Sequence, residues 1–287
     1  MDIDEDGQRD IFSGSYSRQD EKMAGLFQVL KGQAGGNFKT AEALSGTDGK
    51  PLIIPAEGDN WIDNICTRPF AIDWDGDKDL DLVVGNFTGT FYLFEGEGKG
   101  RFLPVPKQLK VGDQPLKIEG HHSDPFVVDW DNDGDLDLLS GSSDGGVQLA
   151  ENGAGPGKPP ELSAFRPLIE RGPQTPDGQI VRDEELKGPM SCTRIWVDDV
   201  NGDGKLDILA GDLVNLVSPT DKLDPKAFQQ KFADWKKSIE DTLKQLNSTT
   251  DEKQRLEANR RFRELYDERN QFMKEDRTGF VWLYRQK

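Results

Sequence analysis

The chain has few of the residues that usually build redox, soft-metal or nucleophilic sites. Its 287 residues include two cysteines and two histidines. Two cysteines allow at most one disulfide bond within the chain. The sequence also has no P-loop, dinucleotide-binding fingerprint or zincin motif. The sequence therefore gives no support for the common nucleotide-dependent enzymes or for zinc peptidases.

Long apolar runs are missing as well. Hydrophobic residues make up 34% of the chain and never form a stretch of about 20, so we expect no transmembrane span. No signal peptide is visible, which we attribute to a truncated start. The net charge of −17 argues against nucleic acid as a partner. A chain of this length can still bury a sizeable core.

Aspartate, by contrast, recurs in a nine-residue pattern with acidic side chains at positions 1, 3, 5 and 9. The four copies are Asp2-Ile-Asp-Glu-Asp-Gly-Gln-Arg-Asp10, Asp73-Trp-Asp-Gly-Asp-Lys-Asp-Leu-Asp81, Asp129-Trp-Asp-Asn-Asp-Gly-Asp-Leu-Asp137 and Asp199-Val-Asn-Gly-Asp-Gly-Lys-Leu-Asp207. Carboxylates crowded into one tight loop repel each other, and a hard cation with oxygen ligands, above all Ca²⁺, removes that cost.

We therefore predict about four Ca²⁺ ions, each held by the side chains at positions 1, 3, 5 and 9 and by the backbone carbonyl at position 7. The predicted ligands are Asp2, Asp4, Asp6, Gln8 and Asp10; Asp73, Asp75, Asp77, Asp79 and Asp81; Asp129, Asp131, Asp133, Asp135 and Asp137; and Asp199, Asn201, Asp203, Lys205 and Asp207. Because Asn201 replaces a carboxylate, we expect the fourth site to be the weakest. The alternative is four solvated acidic turns without metal.

The loops differ from EF-hands. An EF-hand ends in a bidentate Glu at position 12, and here that position holds Ser13, Val84, Ser140 and Ala210. Short apolar runs flank the loops and predict a strand-loop-strand unit rather than a helix-loop-helix unit. Position 6 is glycine in three copies and Lys78 in the second, where we expect a distorted turn.

The spacing of the loops indicates a repeat fold. Their first positions are 71, 56 and 70 residues apart, and a Gly-containing turn with a further strand follows each of them. Outer extended segments such as 101–103 and 165–169 give about four strands per unit. The sequence therefore predicts an all-β fold, a β-propeller of four-stranded blades with incomplete ends.

On these motifs the chain resembles the FG-GAP/VCBS repeat family, above all through Asp-Trp-Asp-x-Asp-x-Asp-Leu-Asp-Leu, which occurs twice. The resemblance implies a Ca²⁺-loop β-propeller of the kind found in integrin α-subunit heads and in many bacterial surface proteins. The Gly-Ala-Pro of the integrin-type repeat is replaced here, for instance by Gly85-Asn-Phe, so the match is closer to the bacterial VCBS type. We expect an extracytoplasmic protein that is secreted, periplasmic or on the cell surface.

The expected domains are propeller repeats over 1–220 and 276–287, with blades near 1–62, 63–119, 120–188 and 189–287, and a helical hairpin over 221–275. Both propeller ends look incomplete, which suggests a fragment of a longer protein. The insertion holds 13 Lys and Arg against 12 Asp and Glu, a net charge of +1. Asp224 and Pro225 predict the start of its first helix. Thr249 to Glu252 predict a capping box for the second, after a turn at Asn247-Ser248. The hairpin either packs on the propeller or serves as a docking arm.

Cys66 and Cys192 each lie seven residues before the first position of their loop, and His122 holds that register in the third repeat. In a propeller these residues would form a ring at the axial channel. Three interpretations stay open, namely small residues that fill the channel, a Cys66–Cys192 disulfide bond, and a soft-metal site. Arg68 and Arg194 are expected to bind an anion or to pair with Asp124.

We expect a calcium-binding, non-enzymatic module for adhesion or for binding a protein or glycan ligand. Trp74 and Trp130, which follow the first loop position, either pack between blades or present platforms to sugars. One alternative is an enzyme or metal-dependent site in the axial channel that uses Cys66, His122 and Cys192. The other is a structural spacer of a larger surface protein.

Overall fold

The computed structural model describes residues 1–16, 25–55, 61–172, 180–221 and 223–287. The stretches 17–24, 56–60 and 173–179, and residue 222, lie outside the described residues. Short antiparallel strands dominate the described part, and two consecutive helices follow near its C-terminal end. The prediction of a mostly β chain with two helices is confirmed.

The first sheet has three strands in the order β1-β2-β5, beside a separate β3-β4 hairpin. The strands are β1 (Ile11–Ser13), β2 (Gln28–Leu30), β3 (Gly32–Gln33), β4 (Asn37–Phe38) and β5 (Glu42–Ala43). β1 follows directly on the first acidic loop. In the described part of the chain, no strand pairs with the other edge of β1.

The second and third sheets are four-stranded antiparallel meanders, β6-β7-β8-β9 and β12-β13-β14-β15, with a small β10-β11 hairpin between them. The strands are β6 (Arg68–Ile72), β7 (Asp81–Gly85), β8 (Phe91–Phe94), β9 (Lys107–Gln108), β10 (Lys110–Val111), β11 (Gln114–Pro115), β12 (Asp124–Val128), β13 (Asp137–Gly141), β14 (Val147–Ala150) and β15 (Arg166–Ile169). The outer segment at 101–103 was wrongly predicted as a strand. Phe102 forms only isolated bridges there, and its fully buried ring fills the space between the first two sheets.

The fourth sheet is built on one long strand of 13 residues, β18. Its first half pairs with β17 and β20, and its second half leaves this sheet and pairs with β16 and β19. The strands are β16 (Ile180–Val181), β17 (Ser191–Asp198), β18 (Asp207–Pro219), β19 (Met273–Thr278) and β20 (Val281–Tyr284). The extension gives the inserted helices a base to pack on.

The two helices are α1 (Pro225–Ser248) and α2 (Glu252–Arg269). The Asp224 side chain caps α1 by accepting from the backbone N–H of Lys226, as predicted. The cap predicted for α2 is wrong. α1 continues through Ser248, Thr249 ends it, and Asp251 caps α2 by accepting from Gln254 N. A single Asp next to Glu252 satisfies the helix start, so no capping box is needed.

The apolar stripe of α1 is buried against α2 and the β18 extension. Phe228, Phe232, Trp235 and Ile239 share one core with Val217 of β18. The Trp235 indole N–H donates to the carbonyl of Leu265 in α2 at 2.8 Å. Met273, which lies within the predicted hairpin range 221–275, opens β19 instead and packs in the same core. The apolar side of the hairpin is therefore packed on the second helix and on the β18 extension.

Each of the first three sheets packs face to face on the next sheet along the chain. We call the face of a sheet that contacts the next sheet its forward face, and the face that contacts the preceding sheet its back face. The residues that share a buried cluster across the three boundaries are Phe12 and Val29 with Ala71 and Leu82; Val83 and Leu93 with Val127 and Leu138; and Leu139 and Leu149 with Val197 and Ile208. Burial of a side chain of this size contributes about 1.5–3 kcal/mol. The stack of sheets is thus the main core of the repeat part.

A glycine four residues after position 9 of each loop stands at an equivalent place in the four sheets, and in the first three it lets the next sheet approach. A Cβ atom on Gly14, Gly85 or Gly141 would lie 1.7, 2.3 or 2.3 Å from a backbone oxygen of the next sheet. At Gly211, in the fourth sheet, the nearest atom would be 3.9 Å away. The first three glycines are therefore required by packing, whereas the fourth has room for a side chain.

We predict that Gly85→Ala lowers the free energy of unfolding by about 3 kcal/mol or more, because the added methyl group would force two backbones apart. Gly211→Ala serves as the matched control at the equivalent position and should be neutral or slightly stabilising. Chemical denaturation of both variants measures the difference. Equal losses at the two positions would contradict the packing described above.

Candidate functional site

The four acidic loops share one backbone conformation. Positions 4 and 6 are left-handed in every copy, with φ between 60° and 96°, and the residues are Glu5, Gly76, Asn132 and Gly202 at position 4 and Gly7, Lys78, Gly134 and Gly204 at position 6. Lys78 adopts a φ of 79°, close to the 85° to 96° of the glycines at position 6 in the other copies. The distortion expected at Lys78 is therefore absent, and the loop holds an ordinary residue in a conformation that suits glycine.

The carboxylate at position 1 organises the loop by accepting hydrogen bonds from its backbone. Asp129 accepts from the N–H groups of Asp133 and Gly134, both at 3.1 Å. Asp2 and Asp199 accept the equivalent two bonds, and Asp73 accepts from the N–H groups at positions 4 and 6 instead of 5 and 6. In the fourth loop these bonds, with that from Gly204 the strongest, lower the pKa of Asp199. The position-1 side chain is therefore held in place in each loop, and in the fourth loop these bonds also favour its ionised form.

Three loops bring carboxylate oxygens together closely enough to share a cation. In each loop, three aspartates offer oxygen atoms within 4.8 Å of one another, and the groups are Asp2, Asp4 and Asp6; Asp73, Asp75 and Asp77; and Asp129, Asp131 and Asp137. Two like charges 4 Å apart repel by about 1 kcal/mol in water and about 4 kcal/mol near a protein surface. Burial and the charge of Asp133 raise the pKa of Asp131.

The fourth loop, which the structure describes completely, has no group of this kind. Asn201 stands at position 3, and its amide N–H donates to Asp203 Oδ2 at 3.0 Å. An uncharged donor thus occupies the place where the other loops have a third carboxylate. The repulsion that a cation would relieve is correspondingly smaller in this loop.

The aspartate at position 9 has a structural role that the sequence analysis missed. Asp137 is fully buried and accepts from the N–H of Trp130 at 3.0 Å and from the N–H of Asn152 at 2.8 Å. Asp10 and Asp81 make the same two bonds. Each carboxylate therefore links the loop to the residues that follow β2, β8 or β14. Burial raises the pKa of Asp81 to about 6 and also raises the pKa of Asp137.

The side chain at position 7 also has a role beyond the predicted carbonyl ligand. Asp135 Oδ2 accepts from the N–H of Gly155 at 2.7 Å, which ties the third loop to the turn after β14. Its second oxygen, Oδ1, is buried and has no hydrogen-bond partner. Asp4 Oδ1 and Asp207 Oδ2, in the first and fourth loops, are buried without a partner in the same way.

The two loop tryptophans pack between sheets. Trp74 is 3% exposed, and its indole N–H donates to the carbonyl of Leu136 in the neighbouring loop at 3.2 Å. Trp130 packs against the core between the third and fourth sheets. Neither ring is free to present a platform to a sugar in this arrangement.

Cys66, His122 and Cys192 share a backbone feature as well as a register. All three are left-handed, with φ of 55°, 58° and 51°. The residue after each, Thr67, Ser123 or Thr193, is buried and hydrogen-bonds to the preceding sheet through its N–H. The left-handed residue turns the chain from its contact with the preceding sheet into the strand that leads to the acidic loop, β6, β12 or β17, which we call the inner strand. This turn explains why the three residues share a register.

The ring residues do not assemble into a metal site or a reactive thiol. Both cysteines are free. In the described part of the chain, no group of three potential metal ligands with atoms within 4.8 Å includes Cys66, His122 or Cys192. Burial raises the pKa of Cys66 and lowers the pKa of His122. The predicted Cys66–Cys192 disulfide bond is therefore not formed, and the three residues do not form a soft-metal cluster.

Arg68, Asp124 and Arg194 form a row beside this ring. The Nε atoms of both arginines lie 3.7 Å from Asp124 Oδ1. Burial raises the pKa of Asp124, although both arginines act to lower it. Of the two predicted roles, the structure shows pairing with Asp124. The carboxylate of Asp124 lies between two guanidinium groups, one from the sheet before its own and one from the sheet after it.

The strained backbone at Lys78 provides a test of the loop geometry. We predict that Lys78→Gly raises the free energy of unfolding by about 0.5–1 kcal/mol, because the left-handed conformation costs a side-chain-bearing residue about 1–2 kcal/mol and glycine recovers part of it. Lys78→Ala removes the same charge but keeps the Cβ atom, so it should give no gain. Identical denaturation midpoints for the two variants would contradict this account.

The comparison with known families agrees with this geometry. No curated protein matches the chain. The model of the FG-GAP-like repeat matches residues 73–140, which run from the first position of the second loop into β13. The matched region contains two acidic loops and the strand β12 between them, and it includes much of the boundary between the second and third sheets. The resemblance drawn from the acidic loops is thus confirmed, and the chain carries an FG-GAP-like repeat.

Proposed function

We propose that this chain is a calcium-stabilised, non-enzymatic binding module that works outside the cytoplasm. The observation that carries the proposal is the acidic loop, which occurs four times and in three copies holds carboxylate oxygens within 4.8 Å of one another. FG-GAP-like repeats usually occur in extracellular proteins. Millimolar calcium outside cells saturates even weak loops of this type.

The residues fit calcium. Carboxylates at positions 1, 3 and 5, with the position-9 oxygen and the position-7 carbonyl, form an all-oxygen donor set for a hard cation. The buried and unpartnered oxygens of Asp4, Asp135 and Asp207 agree with a cation nearby, because buried polar atoms without partners are rare. The fourth site is the weakest of the proposed set of about four, since Asn201 replaces a charge.

Calcium would act structurally in this module. Bound at a loop, the ion neutralises the repulsion among the carboxylates and joins the inner strand to the second strand of the same sheet. The position-1 and position-9 side chains already hold the loop in shape. We assign no chemical step to the metal.

We further propose that the four sheets are blades of a propeller, with 1–220 and 276–287 as its repeats and 221–275 as an insertion. The inner strands β6, β12 and β17 lie side by side. Phe70 and Phe126 have ring centroids 4.8 Å apart, and Phe126 and Trp196 have theirs 5.5 Å apart. Contacts between equivalent residues of successive sheets support an arrangement of the sheets around a common propeller axis.

A protein or glycan ligand is the proposed partner, and the helical hairpin remains a candidate docking arm through its exposed side. Neither α1 nor α2, the helices of the described part, combines the length and apolar character needed to cross a bilayer. Glycan and protein arrays probed with the calcium-loaded chain test the binding role. Reproducible binding to one class supports it, whereas the absence of any hit favours a structural spacer.

We predict that a chelator lowers the melting temperature of the whole chain. A ligand present at 100 times its Kd stabilises the native state by about 2.7 kcal/mol per site, which corresponds to roughly 5 °C or more. Differential scanning calorimetry in excess Ca²⁺ and in excess chelator measures the shift. A melting curve that does not respond to either additive refutes the calcium proposal.

The individual sites can be tested by stoichiometry. We predict that Asp133→Ala loses one bound Ca²⁺ per chain and destabilises the third sheet locally, because it removes a ligand and the acceptor for the N–H of Asp135. Asp113→Ala is the matched control, since Asp113 is an exposed aspartate outside the loops. Equilibrium dialysis with metal analysis counts the ions. A full complement in Asp133→Ala would exclude this loop as a site.

A further inference from the structure

The fourth acidic loop departs from the other three in the bonding of its position-9 aspartate. In the first three repeats, Oδ1 of this carboxylate accepts from a residue that follows β2, β8 or β14, and Oδ2 accepts from the N–H at position 2. Asp207 Oδ1 keeps its part of this pattern and accepts from the N–H of Gln286, after β20, at 3.3 Å. Asp207 Oδ2, the oxygen that bonds to the loop in the other repeats, is buried and has no partner.

The donor that Asp207 Oδ2 lacks is bonded elsewhere. The N–H of Val200, at position 2 of the fourth loop, donates to the carbonyl of Asp198 at 3.0 Å. Asp198 Oδ1 also accepts from the N–H of Asp199 at 2.9 Å. Two consecutive N–H groups at the start of this loop are therefore held by Asp198, through local bonds that compete with the bond to Asp207.

The sequence explains why the start of this loop differs. The residue before position 1 is apolar in the first three repeats, where it is Met1, Ile72 or Val128, and is Asp198 in the fourth. Ile and Val are β-branched and favour a continued extended strand. Aspartate instead offers its side chain to nearby backbone N–H groups.

A second local bond closes the same loop. Asn201 Nδ2 donates to Asp203 Oδ2 at 3.0 Å, in the place where the other loops have a third carboxylate. The free loop is thus satisfied by its own hydrogen bonds at every point except Asp207 Oδ2. A buried carboxylate oxygen without a partner is unfavourable, because it has lost water and gained no bond in return. A conformation that supplies the donor, as in the other three loops, is therefore within reach.

We propose that the fourth loop is a low-affinity calcium site with two states, and that the N–H of Val200 passes from the carbonyl of Asp198 to Asp207 Oδ2 when calcium is bound. The free state has the local bonds described above, and the loaded state has the bonding of the other three loops. Because the competent state is the minor one in the absence of calcium, its scarcity weakens the apparent affinity. The fourth loop therefore responds to changes in external calcium that leave the other loops filled. This inference rests on the calcium binding proposed above and adds a regulatory role for one site.

The test combines a calcium titration of the full chain, by equilibrium dialysis, with hydrogen exchange of single amides by NMR. One ion should bind at least about tenfold more weakly than the others, because the fourth loop has fewer carboxylates and a competing state. The Val200 amide should exchange rapidly without calcium, since a local turn at the surface opens easily, and should become protected only as this ion binds. The Trp130 amide, which is bonded to Asp137, should be protected throughout. Asp203→Ala should remove the weak ion and keep the tight ones.

Two variants separate the proposed switch from the charge of the loop. Asp198→Val, which places the residue of the third repeat before the loop, should tighten the weak site by roughly tenfold and protect the Val200 amide without calcium, although it removes a negative charge. Asn201→Asp should tighten the site through its added charge and leave protection of Val200 dependent on calcium. Asp113→Val is the matched control, because it removes an exposed aspartate outside the loops and should change neither quantity.

The outcomes distinguish this inference from the calcium proposal. Equal affinity at all loops, or a fourth loop that takes up no ion at any calcium concentration, overturns the inference while calcium still binds to the chain. Exchange at Val200 that does not follow the weak ion, or weaker binding in Asp198→Val, overturns the switch. Absence of calcium from every loop contradicts the proposed function and the inference together. Melting curves verify that each variant is folded.

Discussion

The fold of each of the first three repeats depends on one buried carboxylate, the aspartate at position 9 of the loop. It stands at the first residue of the second strand, accepts the N–H that follows the inner strand, and accepts a further N–H from the chain just after the third strand. A hydrogen bond to a charged group contributes about 1.5–3 kcal/mol, and an unpaired buried carboxylate would be costly. Three strands are thereby joined through one side chain, and the acidic loop emerges from a rigid base.

This base explains why the loops are suited to a cation. In the first three loops the loop backbone holds the position-1 carboxylate, and two backbone N–H groups hold the position-9 carboxylate, so two of the proposed ligands are in place there. Ligands held in advance lose less conformational freedom on binding. The fourth loop differs because an amide replaces a carboxylate, and a hydrogen bond there relieves the repulsion that a bound cation would relieve in the other loops.

The same two backbone features recur at each boundary where one sheet packs on the next. Gly14, Gly85 and Gly141 admit the backbone of the next sheet. The left-handed residues Cys66, His122 and Cys192 turn the chain into that contact. The pattern holds at three boundaries. The long strand β18 then serves two sheets, one that completes the stack and one that supports the helices, so the insertion is anchored without interrupting the repeat.

The sequence by itself determined the loops, the strands that flank them, the first helix cap and the register of Cys66, His122 and Cys192, because short-range spacing and periodicity encode these features. It also identified the repeat family. Only the tertiary structure decided the second role of the position-9 aspartates, the pairing of Asp124 with two arginines, and the place of Phe102 between two sheets. These depend on contacts between segments far apart in the chain, such as Asp124 with Arg68 and Arg194, and local spacing carries no information about which distant groups meet.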